Sequence, residues 1–323
     1  MARYVARRLL QIPFLFLGAT LLTFALVHLV PGSPVDDLRV SIPGITQEDL
    51  ARIERTLGID KPLHEQYLGW LSQLVRGDFG LSLDDRRPVR DEIFARLPNT
   101  LLLTGSALIV SLLIAVPAGI FAALHRNSLF DQIVNVAVTL GSALPTFWIG
   151  LILILVFSVQ ANEWGLPALP SSGMRSVVGA DTVGDRIEHL ILPVTTLAIF
   201  QVSGWLRYVR AQVLEVMSQE YVKTARSKGL AERVVILRHA FRNALLPLVT
   251  LLGIQFPQLF AGAAFVETIF SWPGLGLLSV QAASERDYTM IIGLTVFVAA
   301  FTLISNLVTD LLYAVVDPQI TYQ

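Results

Sequence analysis

The chain has 323 residues, of which 54% are hydrophobic and only 15% charged, and its mean hydropathy is +0.62. Soluble domains carry about 25% charged residues, so these figures exclude an ordinary soluble protein and point to a membrane one. A net charge of −1 supplies no global field for nucleic acid or acidic substrates, and the absence of cysteine rules out disulfides, thiolate metal sites and a cysteine nucleophile.

The N-terminal stretch MARYVARRLLQIPFLFLGATLLTFALVHLVPG is basic and then apolar. Its apolar run, Leu9–Val30, is long enough to cross a hydrocarbon core about 30 Å thick and too long for a signal-peptide core of about 7–15 residues, so it predicts a retained first membrane helix. Residues 31–98 are polar enough for a small extracytoplasmic subdomain. Within it, TQEDLARIERTLG starts on a capping box at Thr46 and Asp49 and places Leu50, Ile53 and Leu57 on one face. LHEQYLGWLSQLV repeats the pattern with Leu63, Tyr67, Trp70 and Leu74. Two short amphipathic helices are expected, serving as a lid on the outer mouth of a bundle or as a dock for an external binding protein. The next apolar windows are Thr100–Leu124, Val134–Gln160, Leu190–Trp205, Leu246–Thr268 and Met290–Val316. They are continuous rather than alternating, which predicts helices: an all-α polytopic membrane protein with six transmembrane helices. The fourth window is the weakest, being short and holding Gln201 and Ser203. The chain divides into 1–30, 31–98 and a five-helix core over 99–323.

Lys and Arg orient the spans. With the N-terminus inside, twelve fall on the inside (Arg3, Arg7, Arg8, Arg126, Arg207, Arg210, Lys223, Arg226, Lys228, Arg233, Arg238 and Arg242), against three in short outer loops (Arg175, Arg186 and Arg286). Both termini are therefore expected in the cytoplasm.

Several chemistries lack their residues. None of the three lysines, Lys61, Lys223 and Lys228, follows a glycine, so no phosphate-cradling G-x-x-x-x-G-K-[ST] loop exists and any nucleotide hydrolysis must occur on a partner. The five histidines are scattered, with no H-E-x-x-H, so no metal site is expected. Ser106 and Ser142 sit in weak imitations of a serine-nucleophile context, and small residues in spans more often serve close helix packing. Ionisable residues within the spans are few (His28, Glu267 and Asp310, all near span ends), which poorly supplies an ion-coupled carrier.

Polar groups within spans usually face a bundle's interior. Ser142 and Thr146 flank Pro145, Gln201 and Ser203 lie in the fourth span, and Gln255 and Gln258 straddle Pro257. These six are the candidate translocation path, with helix-packing roles as the alternative for each. Glu267, beside an outer loop, is a candidate outer gate or an interfacial charge.

The longest cytoplasmic segment, residues 208–245, is rich in helix formers and interrupted by Gly229, which predicts helix, sharp turn, helix. It is far longer than a span connector needs, although a basic loop could reflect topology alone. Here EYVKTARSKGLAERVVILRHAFRNALLP resembles the EAA loop of permease subunits of binding-protein-dependent ABC importers. Lys223, Thr224 and Ala225 stand where Glu-Ala-Ala would, and the distance from Gly229 to Pro247 exceeds the usual spacing. Both departures resemble the dipeptide, oligopeptide and nickel branch. So do LGIDKPLHEQYLGWLSQLVRGDFGLSL after the first span, RLPNTLLL at the second, ETIFSWPGLGLL before the last, and DLLYAVVDPQI near the end.

The resemblance covers nearly the whole chain. It implies a type I ABC importer permease of a bacterial or archaeal cytoplasmic membrane, and the long first outer loop favours the first of two permease subunits. Implied partners are a second permease, two ATPase chains or one fused ATPase, and an extracytoplasmic binding protein. This chain is then no enzyme and binds no cofactor; ATP and magnesium belong to the ATPase. The coupling residues it implies are Tyr221 and Leu230 as apolar anchors, Ala225 for close approach, Lys223, Arg226 and Lys228 as donors, and Gly229 as the turn. The implied cargo is a di- or oligopeptide, with nickel or another small solute as the alternative. An ion-coupled carrier or a channel is the alternative of another class.

Overall fold

A computed structural model describes residues 2–29, 46, 61–176, 182–229, 231, 234, 235, 252, 253, 255, 257–261 and 263–316. By internal packing the chain divides into two units, residues 1–95 with 279–304, and residues 96–278 with 305–323. The described residues are almost entirely helical, with a single isolated β-bridge between Leu81 and Pro88.

In the first unit, α1 (Ala2–Leu29) carries the first apolar run. Its Phe24 and Thr20 receive α2 (Leu63–Val75), the second expected amphipathic helix. The Phe24 and Tyr67 rings meet edge-on at 5.4 Å, Trp70 lies 6.1 Å from Phe24, and the Tyr67 hydroxyl is 3.0 Å from that of Thr20. The apolar stripe read from the sequence thus seats α2 on the first membrane helix. The first expected amphipathic helix lies outside the described residues. Asp287 ties down the turn that follows α2: its carboxylate accepts from the Ser82 hydroxyl at 2.6 Å and the Leu83 amide at 3.0 Å, while its other oxygen accepts from the Met290 amide. That last bond caps α12 (Tyr288–Val316), the sixth expected span.

The second unit contains most of α3 (Val89–Leu124), then α4 (Leu129–Ala143) and α5 (Thr146–Ile154), which continues through a π segment (Leu155–Gln160) to a last turn, α6 (Ala161–Glu163). The window Val134–Gln160, expected as one helix, is therefore two pieces. Leu144 precedes Pro145 and is extended (φ −81°, ψ 133°), because the proline ring crowds the helical region of the residue before it. The fourth window, the weakest in sequence, forms the centre of α7 (Val183–Met217), one of the longest helices. Thr182 caps it, accepting from the Asp185 amide, and polar residues extend it beyond the apolar stretch at both ends. After α7 come α8 (Glu220–Ser227), α9 (Gln258–Ala261), α10 (Ala264–Ile269) and α11 (Leu275–Ser284). The described part of the fifth window is not continuous helix either, since Ala263 (φ −115°, ψ 68°) separates α9 from α10.

Among the described residues, four helical stretches are long and apolar enough to cross a membrane: Val89–Leu124, Thr146–Glu163, Val183–Met217 and Tyr288–Thr309; shorter apolar helices include Leu10–Leu26 and Leu129–Ala143. Small residues let them approach. A Cβ on Gly141 would strike the Ser203 hydroxyl, and one on Gly119 would strike Val209, so α4 and α3 both close on α7 around a core of Ala115, Val138, Trp205, Leu206 and Val209.

Candidate functional site

Four of the six expected path residues line one cleft. A cavity of about 310 Å³ is bounded by Thr104 on α3, Thr146 on α5, Gln201 on α7, and Gln255, Gln258 and Phe265 near the described end of the fifth window. Its polar groups are only partly used. Gln201 accepts from the Ser111 hydroxyl at 3.2 Å, and Gln255 and Gln258 pair through one amide bond at 2.9 Å. Each of the three amides is thus left with a hydrogen-bonding group unused among the described residues, whichever way round it is assigned. Thr104 donates to the Thr100 and Leu259 carbonyls. No charged or imidazole side chain lines the cleft among the described residues.

The other two path residues are placed elsewhere. Ser203 is buried between α7 and Gly141 and donates to the Ile199 carbonyl. Ser142 donates to the Thr139 carbonyl and lies 3.4 Å from the Arg207 guanidinium.

Glu267 does not line the cleft either. It is fully buried. One carboxyl oxygen takes the Thr100 hydroxyl at 3.1 Å and the Ala263 amide at 3.3 Å; the other takes the Leu277 amide at 2.9 Å. Thr100 in turn accepts from the Leu275 amide. Beside it the Trp272 indole donates to the Asn99 carbonyl, and Asn99 donates to the Pro273 carbonyl. Phe270 and Trp272 are both fully buried. The stretch ETIFSWPG is therefore a self-satisfied knot pinned to the start of the second expected span.

On the cytoplasmic side the expected handle begins later than residue 208. α7 continues to Met217, a two-residue joint follows, and α8 starts at Glu220. Lys228 and Gly229 close α8, and Gly229 adopts φ +73°, the left-handed conformation that suits glycine. A Cβ there would meet nothing within 4 Å, so a substitution is opposed by backbone conformation alone. Chain after the turn folds back: Val235 is buried against Val222 and Ala225, with Val216 and Met217 of α7 alongside. The small side chain of Ala225 thus admits this chain's own Val235. Tyr221, Lys223, Arg226 and Lys228 remain on the exposed side, Lys223 pairing with Glu220 at 2.7 Å. Leu230 lies outside the described residues, as does most of 232–251.

One feature had little sequence signal. Asp131, ahead of Val134 where the apolar window begins, is buried and gripped by Arg210, whose Nε and terminal nitrogen reach its two oxygens at 2.7 and 2.9 Å. The Asn127 amide and the Asn135 side chain complete the shell. The Arg210 hydrogen bonds, outweighing burial, hold this carboxyl down at about 2. Ser128, capping α4 three residues earlier, hinted that Asp131 lies in a first helical turn. Nothing in the spacing linked it to a residue 79 positions on.

Comparison with known proteins then adds a family. Residues 115–322 match the family described as "Binding-protein-dependent transport system inner membrane component", and residues 1–104 match the N-terminal family of the same membrane components. The chain is 42% identical to the oligopeptide transport system permease protein AppB of Bacillus subtilis, over all of both chains. It is 38% identical to the dipeptide transport system permease protein DppB of Escherichia coli, again over all of both. Identity to a glutathione transport system permease protein, GsiC, of Escherichia coli is 40% over both full lengths. A solved amino acid ABC transporter aligns with a TM-score of 0.49 and 17% identity, covering 71% of this chain and 94% of that one.

Proposed function

Because this chain belongs to the binding-protein-dependent transport system inner membrane component family, we propose that it is one of two permease subunits that together pass di- or oligopeptides inward, driven by ATP on separate chains. It is a multi-pass protein of the cytoplasmic membrane and a translocation subunit rather than an enzyme. The second permease, the ATPase pair or fused ATPase with its magnesium, and an extracytoplasmic binding protein belong to this proposal, as does this chain's standing as the subunit with the longer first outer loop.

The unused amide groups in the cleft carry the cargo reading. A peptide bond offers one donor and one acceptor, and Gln201, Gln255 and Gln258 between them keep unused groups of both kinds to meet it. Nickel favours imidazole and thiolate, and a hard cation favours carboxylate. The described walls supply neither, whereas relatives at about 40% identity carry peptide transport in their names.

The handle supports a partner as the engine. A gripping ATPase would press on Tyr221 and the adjoining basic side chains. The Val222, Ala225 and Val235 cluster bears on Val216 and Met217, so force enters α7 directly. From Met217 to Gln201 is sixteen residues of one helix, about 24 Å at 1.5 Å per residue. The Asp131–Arg210 clamp carries the same motion into α4. Nucleotide would bind one state of this assembly better than the other and shift its population.

The test is reconstitution of the assembled transporter in proteoliposomes with its binding protein. ATP-dependent uptake of a labelled tripeptide is expected, and Gln201→Leu together with Gln258→Leu should reduce its maximal rate about tenfold, the loss of roughly 1.4 kcal/mol of hydrogen bonding. Uptake of nickel that peptide does not compete with, or uptake driven by an ion gradient without ATPase chains, would overturn the reading.

A further inference from the structure

A second cavity, of about 410 Å³, lies wholly within the first unit. Its walls are almost entirely apolar, and five rings, Phe16, Phe79, Phe94, Phe297 and Phe301, contribute to them. One charged side chain, Arg90, lines it as well.

Depth in this groove can be read from α3 and α12. Val89 packs where a Cβ on Gly293 would stand, and Phe94 meets Phe297 edge-on at 5.6 Å. The two helices therefore run side by side in the same direction, and Arg90 sits level with about residue 293. At the other end the groove closes at Ile304 on α12. Eleven residues separate those levels, about 16 Å of helix. Half of a hydrocarbon core about 30 Å thick is about 15 Å. The groove is thus about as long as one leaflet is thick, with its cation at one end and its rings along the length.

Arg90 is exposed and makes no ion pair or hydrogen bond among the described residues; its guanidinium lies 5.9 Å from the centre of the Phe94 ring. Of the neighbouring acids, Glu92 pairs with Arg87 at 3.2 Å and Asp78 accepts from the Gly80 amide, and Asp91 makes no ion pair with Arg90 among the described residues. The guanidinium thus has no bonded counter-ion among the described residues, at the edge of a slot long enough for an acyl chain.

We propose that this groove holds one anionic phospholipid, its phosphate on the Arg90 guanidinium and one acyl chain among the five phenylalanines down to Ile304. An arginine matches a phosphate bidentately, and the rings accept the chain by dispersion. A zwitterionic lipid carries a compensating ammonium and gains less from the same contact.

The experiment uses the assembled transporter in detergent, incubated with equal amounts of phosphatidylglycerol and phosphatidylcholine. Retained lipid is identified by native mass spectrometry. The wild-type complex should keep one phosphatidylglycerol. Arg90→Gln should lower its retention about fivefold, the factor one basic residue contributes beside an anionic headgroup, and Arg90→Lys should restore most of it. Ala300→Trp, which fills the slot and leaves the charge, should expel the lipid. Each variant is accepted only with a wild-type elution volume and melting temperature. Equal retention by Arg90→Gln, equal retention of both headgroups, or lipid persisting in Ala300→Trp would overturn the proposal. So would efficient cross-linking of Ala300→Cys to the second permease with no lipid bound, because the slot would then be filled by protein.

Discussion

The turn at Glu267–Leu278 and the cytoplasmic segment at Glu220–Gly229 both lie between expected membrane spans, and both carry motifs by which the sequence resembles the permease family. They are built in opposite ways. The first buries Glu267, Phe270, Trp272 and Leu275 and satisfies their polar atoms from within the chain. The second, among its described residues, buries Val222 and Ala225 against Val235 and leaves Tyr221 and its basic residues exposed. A segment that satisfies itself is a structural fixture, whereas one that hides its small side chains and displays its large ones suits the partner contact proposed for it. Motif strength alone therefore does not tell fixture from contact surface; burial of the polar atoms does.

Three changes press on that contrast, in descending order of their effect on stability. Glu267→Ala should be the most damaging. It strands the Thr100 hydroxyl and the Ala263 and Leu277 amides in a buried site, at about 1–3 kcal/mol for each group left unmet. Thermal unfolding in detergent should show a large drop in melting temperature, with Glu267→Gln intermediate because its amide keeps one acceptor. An unchanged melting temperature would mean that the knot does not hold the turn.

Asp131→Asn should come next, at about 3 kcal/mol near neutral pH, since it leaves the Arg210 charge without its counterpart. The pH profile separates this from a packing defect. A carboxyl depressed from 3.8 to about 2 stabilises the folded state fully above about pH 4, and that contribution is lost as pH falls toward 2. Wild type should therefore lose stability between pH 4 and 2 more steeply than Asp131→Asn. Parallel profiles would remove the clamp from the account.

Gly229→Val should have the smallest effect on stability and a large one on transport. A left-handed conformation costs a side-chain-bearing residue about 1–2 kcal/mol, and there is open space around the site. Membrane insertion and melting temperature should stay close to wild type while ATP-driven uptake falls about tenfold or more. Gly229→Asn, which tolerates that conformation, should keep most of the uptake. If valine unfolded the protein as badly as Glu267→Ala does, the segment would be a fixture after all, and the contrast between the two loops would dissolve.

Hydrophobic length and the distribution of Lys and Arg made membrane residence, helical class and an expected orientation readable from one sequence, because lipid allows few backbone solutions and each needs a long apolar run. Missing residues were equally legible: no glycine-lysine cradle can be built from three lysines that never follow glycine. Convergence was not legible. Thr146, Gln201, Gln255 and Gln258 reach one cleft, while Ser142 and Ser203, alike in sequence, do not; which face of a span looks inward depends on neighbours far away in the chain. The break at Leu144 had a partial signal, since Pro145 disfavours the helical region at the residue before it, yet Pro98, Pro117 and Pro193 lie inside helices of this chain and the apolar window concealed the difference. The engagement of Glu267, the grip of Arg210 on Asp131 and the return of Val235 onto Ala225 belong to tertiary structure alone. Each depends on where a second, remote piece of chain delivers a partner, and no local pattern encodes that distance.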